Sequence, residues 1–252
     1  MIYGLWQSAA GLQTQDYRQA IIANNLANVD TPGFKPDRIA FRERLSAAFA
    51  GAPRPTRHPV LDALPGGLFE TPVHTDYSTA SIETTTNPLD VAIDGGGFLT
   101  VRTPEGLRYT RDGRMTLSRD GELRHASSGF PMVDAEGRSL LLEPSQPGQI
   151  KIDEQGRVKQ GERTAGRLAV VDFADRSALE KTGQNLFVSD RARATPSSGT
   201  VRQFAVEASG ADPITSLVEM IDATRAYQLN ANMLTLQDES LGRLVNELGR
   251  IG

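Results

Sequence analysis

Ala23-Asn24-Asn25-Leu26-Ala27-Asn28-Val29-Asp30-Thr31-Pro32-Gly33-Phe34-Lys35 is where a long apolar-periodic segment comes to a hard stop. Pro32 cannot continue a helix and pushes Thr31 toward extended geometry, while Gly33 supplies the positive φ of a type II Pro-Gly turn. The stop therefore reads as a helix exit. Asn24, Asn25 and Asn28 are poor helix formers, yet the spacings 24 to 28 and 25 to 28 place their amides near one another on adjacent turns. Together with Pro32 and Gly33 they are expected to fix this exit by hydrogen bonding.

Upstream of the stop, positions 2, 5, 9, 12, 16, 19, 23 and 26 read Ile, Leu, Ala, Leu, Asp, Gln, Ala, Leu. This alternating three-and-four spacing predicts a helix from about Ile2 to Asn28 with a narrow, polar-interrupted seam of coiled-coil type. The far end of the chain repeats the theme. Asp212 serves as N-cap and Pro213 as first helical residue, and positions 217, 220, 224, 227, 231, 234, 238, 241, 245 and 248 read Leu, Met, Thr, Tyr, Ala, Leu, Asp, Leu, Val, Leu. Leu5, Leu12 and Leu26 are expected to pack against Leu217, Tyr227, Leu234 and Leu241, or against the counterparts of these residues in adjacent subunits.

Between the helices the character changes twice. From Leu45 to Thr86 the chain carries Pro53, Pro55, Pro59, Pro65 and Pro72, a Gly66-Gly67 pair and the polar run STASIETTTN. It reads as an extended connector, with a short helix over Arg38 to Phe49 before it. From Asn87 short strands follow one another (LDVAI, FLTVRT, RMTLS, QIKI, RLAVVDF, LFVS, RQFAVE), cut by Asp112-Gly113 and Asp120-Gly121 as the strongest hairpin-turn pairs. No helical pattern alternates with them, so a parallel sheet is disfavoured. The expectation is an α+β chain: a helix over 1–33, a connector over 34–86, a mostly antiparallel β body over 87–208 and a closing helix over 209–252.

Composition excludes several classes of function. With 252 residues and 38% hydrophobic side chains the chain can build a core, and a net charge of −4 gives no general attraction to nucleic acid. Cysteine is absent, so disulfides and thiolate chemistry are ruled out. The N-terminus has no basic leader, so no cleaved secretory signal is expected, and no run reaches the roughly 20 apolar residues of a membrane span.

The chemistry-bearing residues are sparse. Asp94-Gly95-Gly96-Gly97 follows a strand but lacks the Lys-Ser/Thr of a P-loop, so a tight turn or a close backbone approach is expected rather than a phosphate cradle. His58, His74 and His125 stand apart from any second ligand at metal spacing. No GxSxG or HExxH string occurs. Arg102, Arg108, Arg111, Arg114, Arg119 and Arg124 are interleaved with Glu105, Asp112, Asp120 and Glu122, which reads as a mixed-charge solvated surface. No enzyme activity, cofactor or metal is expected.

Three blocks carry a family resemblance: ANNLANVDTPGFK, then NPLDVAIDGGGFLTVRTPEGLRYTRDGRMTLSRDGEL, then MIDATRAYQLNANMLTLQDESLGRL. In this order they resemble the bacterial flagellar basal-body rod and hook proteins. The resemblance implies a structural subunit of the rod that polymerises through its terminal helices, in the proximal rod rather than the distal. It also implies other rod subunits and the flagellar export apparatus as partners, no nucleic acid, no membrane insertion, and a place in the periplasmic rod. A monomeric β-rich binding module with a closed helical hairpin is the competing reading.

Overall fold

The computed structural model describes residues 2–39, 41–43, 68–70, 73–144, 150–189 and 191–248. The chain divides into two compact units, one made of 1–27, 37–74 and 213–252, the other of 28–36 and 75–212.

The first unit holds the two long helices, α1 (Ile2–Ala27) and α2 (Pro213–Leu248). They run antiparallel: Gly4 faces Gln237, and Gly11, seven residues on in α1, faces Asn230, seven residues back in α2. A methyl group on either glycine would come within 3.1 Å of the facing amide side chain. The most buried positions of α1 are Ser8, Gly11, Thr14, Ile22 and Asn25, and those of α2 include Ser216 and Ala223. This stripe lies one residue N-terminal of the apolar seam expected for α1. Side-chain size accounts for the offset, because interaxial distance is set by the residues at the contact, and glycine, serine and alanine let two helices approach closely. The same unit carries an antiparallel pair, Phe41–Glu43 with Leu68–Glu70. The helix expected over 38–49 is therefore replaced by strand at 41–43, while 44–49 lie outside the described residues. So does most of the connector expected over 45–86, up to residue 72.

The second unit is the β body. Its main sheet is six-stranded and antiparallel in the order Leu179–Gly183, Leu186–Ser189, Gly106–Thr110, Phe98–Thr103, Val170–Phe173 and Ala194–Pro196. A three-stranded sheet of Ile150–Ile152, Arg157–Gln160 and Arg163–Arg167 stands beside shorter pairs, among them Val91–Asp94 with Thr200–Gln203 and Ile82–Thr84 with Ala205–Glu207. The strands alternate as half-buried strands should: Ile150 and Ile152 point inward and Lys151 outward. One core gathers Val91, Leu99, Val101, Leu123, Met132, Val158 and Leu168. A second is aromatic, with Phe98 5.7 Å from Phe187 and 6.1 Å from Phe173, centroid to centroid and edge to face.

Asp120-Gly121 makes the expected turn, joining Met115–Leu117 to Leu123–His125. Asp112-Gly113 does not. Gly113 instead runs against the backbone of Val91, whose N–H donates to the Gly113 carbonyl at 3.0 Å.

A Cβ on Gly113 would fall 1.6 Å from the Val91 carbonyl oxygen, whereas one on Gly129, at φ 72°, would meet nothing within 4 Å. Thermal denaturation is expected to show Gly113→Ala destabilised by about 3 kcal/mol or more through forced backbone displacement. Gly129→Ala is expected to lose about 1–2 kcal/mol from left-handed strain alone.

Candidate functional site: the helix-exit clasp and the outer helix face

Residues 28–36, which follow α1 in sequence, are stapled into the β body by both backbone and charge. The Asn28 carbonyl accepts from Thr31 N–H at 3.1 Å and from the Ser209 hydroxyl at 2.8 Å, and the Pro32 carbonyl accepts from Asn185 Nδ2 at 2.8 Å. Gly33 has φ 67° and donates its N–H to the Glu207 carbonyl at 2.8 Å. The Phe34 carbonyl accepts from Gly210 N–H at 2.9 Å. Lys181 Nζ lies 4.7 Å from the Phe34 ring centroid and donates to the Lys35 carbonyl at 2.6 Å.

Beneath these contacts sits a buried charge cluster. Lys35 Nζ donates to Glu207 Oε1 at 2.7 Å and to the Ser78 carbonyl at 2.6 Å, and Ala80 N–H reaches the same Oε1 at 2.9 Å. The other carboxylate oxygen, Oε2, accepts from Arg111 Nε. The Arg111 guanidinium also donates to the carbonyls of Gly97, Ile93 and Gly95, the last two at 2.9 and 2.6 Å. Lys35, Arg111 and Glu207 are all at most 4% exposed. Burial pushes the Lys35 ammonium below its ordinary pKa, against the opposing pull of Glu207.

This arrangement explains the glycine run. The turn after Val91–Asp94 aims carbonyl oxygens at a cation, the opposite of the N–H cradle a phosphate requires. It also corrects one expectation: Arg111 belongs to the buried clasp, not to a solvated surface. The trio escapes sequence reasoning because its members lie 172 and 96 residues apart. The available signal is that each charge adjoins a turn or strand end, Lys35 after Pro-Gly-Phe and Arg111 before Asp-Gly.

Asp112, next in sequence, is also fully buried. It accepts from Arg114 Nη2 and the Ser127 hydroxyl, each at 2.8 Å, and His125 Nε2 stands 3.4 Å from Oδ2. Burial alone would raise the Asp112 pKa, but His125, Arg114 and Ser127 overcome it and hold the carboxyl well below the usual range. His125 Nδ1 contacts Ser128 Oγ at 2.7 Å. Although this makes a serine–histidine–aspartate set, His125 and Asp112 have no exposed surface and offer a substrate no approach. Among the described residues no three acidic or histidine side chains gather as a metal site.

In the helical unit, Asn25 is buried and bonds the Asp37 backbone twice, donating to its carbonyl at 2.8 Å and accepting from its N–H at 3.0 Å. Asn24 is exposed, and Asn28, in the other unit, is half-buried with its Oδ1 accepting from the Thr31 hydroxyl at 3.2 Å. Leu5, Leu12, Leu26, Leu234 and Leu241 are half-buried, while Leu217 is 50% and Tyr227 39% exposed. The outward side of α2 is apolar: Ile214, Leu217, Val218 and Ile221, then Leu229, Met233 and Leu236, follow one another at helical spacing and are all at least half exposed. Single exposed apolar side chains are ordinary on a protein surface, whereas a stripe of this length is not. No described helix is long and apolar enough to cross a membrane.

Glu207→Ala leaves two buried cations without their counter-ion, and denaturant unfolding is expected to register a loss of about 3–5 kcal/mol. Asp112 contributes stability that is complete above its unfolded pKa of about 3.9 and drains away as pH falls through that value toward the depressed folded one. Stability measured from about pH 6 to about pH 3 is therefore expected to fall less steeply in Asp112→Asn than in the parent. Parallel slopes would contradict the assignment.

Three family descriptions match the chain in order: "Flagella basal body rod protein" over residues 8–35, "Flagellar hook protein FlgE/F/G D1 domain" over 92–160 and "Flagellar basal body rod FlgEFG protein C-terminal" over 202–247. The chain is 32% identical over 262 residues to the flagellar basal-body rod protein FlgG of Buchnera aphidicola subsp. Schizaphis graminum, covering 97% of this chain and 99% of that one. It is 30% identical to FlgG of Bacillus subtilis, covering 98% and 99%. With the rod protein FlgF of Caulobacter vibrioides it shares 31% identity over 92% and 91%. The clasp residues Lys35, Arg111 and Glu207 each fall inside one of the three matched segments, and the chain belongs to the family of flagellar basal-body rod and hook proteins.

Proposed function

We propose that this protein is a structural subunit of the flagellar rod that polymerises with neighbouring rod subunits through its two terminal helices, while the β body forms an outer layer. The observation that carries this reading is the exposed apolar stripe of α2, from Ile214 to Leu236, which a second subunit would bury. In this reading Leu5, Leu12, Leu26, Leu217, Tyr227, Leu234 and Leu241 contribute to subunit contacts of coiled-coil type, and the helices order fully on assembly. Asn24, Asn25, Asn28, Pro32 and Gly33 hold the exit from α1. Export through the flagellar secretion apparatus without signal cleavage, and residence in the periplasmic rod, follow from the same reading.

Likeness to FlgG relatives over nearly their full length supports a distal position in the rod, and likeness to FlgF over nine-tenths of both chains supports the proximal position expected from sequence. One observation favours the competing closed module: α1 and α2 already lie against each other within one chain. Its weakness is the seam itself, which buries Ser8, Thr14, Asn25 and Ser216 and leaves the apolar stripe outside.

The test is complementation of a strain lacking this protein, with basal bodies isolated and probed for the chain. Val218→Asp/Ile221→Asp and, separately, Leu234→Asp are expected to abolish incorporation and motility while the purified variants keep the melting transition of the β body. Normal rods built from these variants would transfer the function to the closed module.

A further inference from the structure

The run Arg191-Ala192-Arg193-Ala194-Thr195 alternates with the period of a strand. Ala192 and Ala194 turn inward and pack on the aromatic cluster of Phe98, Phe173, Leu179 and Phe187. Arg191, Arg193 and Thr195 line a surface cavity of about 470 Å3 together with Ala174, Asp175, Ser177 and Ala178. The segment is held in place: the Ser189 hydroxyl accepts from Ala192 N–H at 3.0 Å and donates to its carbonyl at 2.9 Å. At its end Thr195 pairs with Asp172 in the outermost strand of the main sheet.

Among the described residues that line this cavity the charges do not balance. Neither Arg191 nor Arg193 makes a hydrogen bond or ion pair among the described residues. Arg176 is committed to Asp172 at 2.8 Å. The acid of the cavity, Asp175, has its Oδ1 taken by Ser177 N–H at 2.9 Å and Ser177 Oγ at 2.6 Å, which holds it ionised below the ordinary carboxylate range. Among the described residues two arginines thus line the cavity with one carboxylate and three alanines.

We propose that this cavity is a docking site for an extended acidic segment of a protein partner, its alternate carboxylates taken by Arg191 and Arg193. Arg193 directly precedes the edge strand Ala194–Pro196 and Arg191 stands in the bend before it, so their α-carbons are at most roughly 7 Å apart, within reach of acidic side chains at i and i+2 of an extended peptide. Guanidinium also pairs carboxylate through two parallel N–H bonds, which favours this class over a neutral ligand. The proposal stands on the β body alone and holds wherever in a flagellum the chain resides.

The experiment is fluorescence polarisation with full-length protein and a labelled Glu-Thr-Glu-Thr-Glu peptide at low ionic strength, against the Gln-Thr-Gln-Thr-Gln peptide. The acidic peptide is expected to bind and the glutamine peptide not. Arg191→Gln/Arg193→Gln is expected to weaken binding by about tenfold or more, the exposed positions leaving the melting transition unchanged. Equal binding of the two peptides, or full affinity in the double variant, would overturn the proposal. So would displacement of the peptide by inorganic phosphate but not by chloride at the same ionic strength, which would make the cavity a general oxyanion site.

Discussion

The fold of the β body turns on Glu207, a fully buried carboxylate gripped by Lys35 from one end of the chain and by Arg111 from its middle. Burying three charges is expensive, and the arrangement is stable because nearly every donor and acceptor is met. The lysine adds the Ser78 carbonyl, the arginine adds the carbonyls of Ile93, Gly95 and Gly97, and the Glu207 backbone carbonyl accepts from Gly33 N–H. Gly33 is required on two counts: its φ of 67° is left-handed, and a Cβ there would lie 2.4 Å from the Arg111 carbonyl carbon. Residues 28–36 and 205–210, which follow α1 and precede α2 in the sequence, are thereby joined to each other inside the β body.

The helical unit follows the opposite logic. Its inner seam selects small and polar side chains, Gly4, Ser8, Gly11 and Ser216, and its outer face carries the apolar ones. A β body closed by its own interactions, joined to a helical unit that keeps its apolar surface outside, is the division expected of a subunit that completes itself in an assembly.

Much of this was legible in the sequence, and the failures share one cause. The two helices were visible because three-and-four spacing persists over 26 and 36 residues, and Pro32 and Gly33 marked the first exit as clearly as Asp212 and Pro213 marked the second entry. The Asp120-Gly121 hairpin followed from turn chemistry. The buried stripe of α1 lies one residue from its apolar seam because close helix contact selects for size rather than apolarity. Asp112-Gly113 resembled a hairpin turn because the dipeptide carries no trace of Val91, whose backbone is what demands that glycine. Arg111 looked like one of six surface arginines for the same reason: a partner 96 residues away leaves no local mark. Local chemistry is readable in a single sequence, and tertiary pairing is not.

Hydrogen–deuterium exchange, compared between the free full-length protein and the same chain in purified basal bodies, separates a helix face covered only on assembly from one already covered in the free chain. The β body from Val91 to Val206 is expected to be equally protected in both states. The helix α2 from Ile214 to Leu236 is expected to gain strong protection only in the assembly, where its outer face is covered. Equal protection of α2 in the free chain and in the basal body, or absence of the chain from the basal body, would contradict assembly through this face.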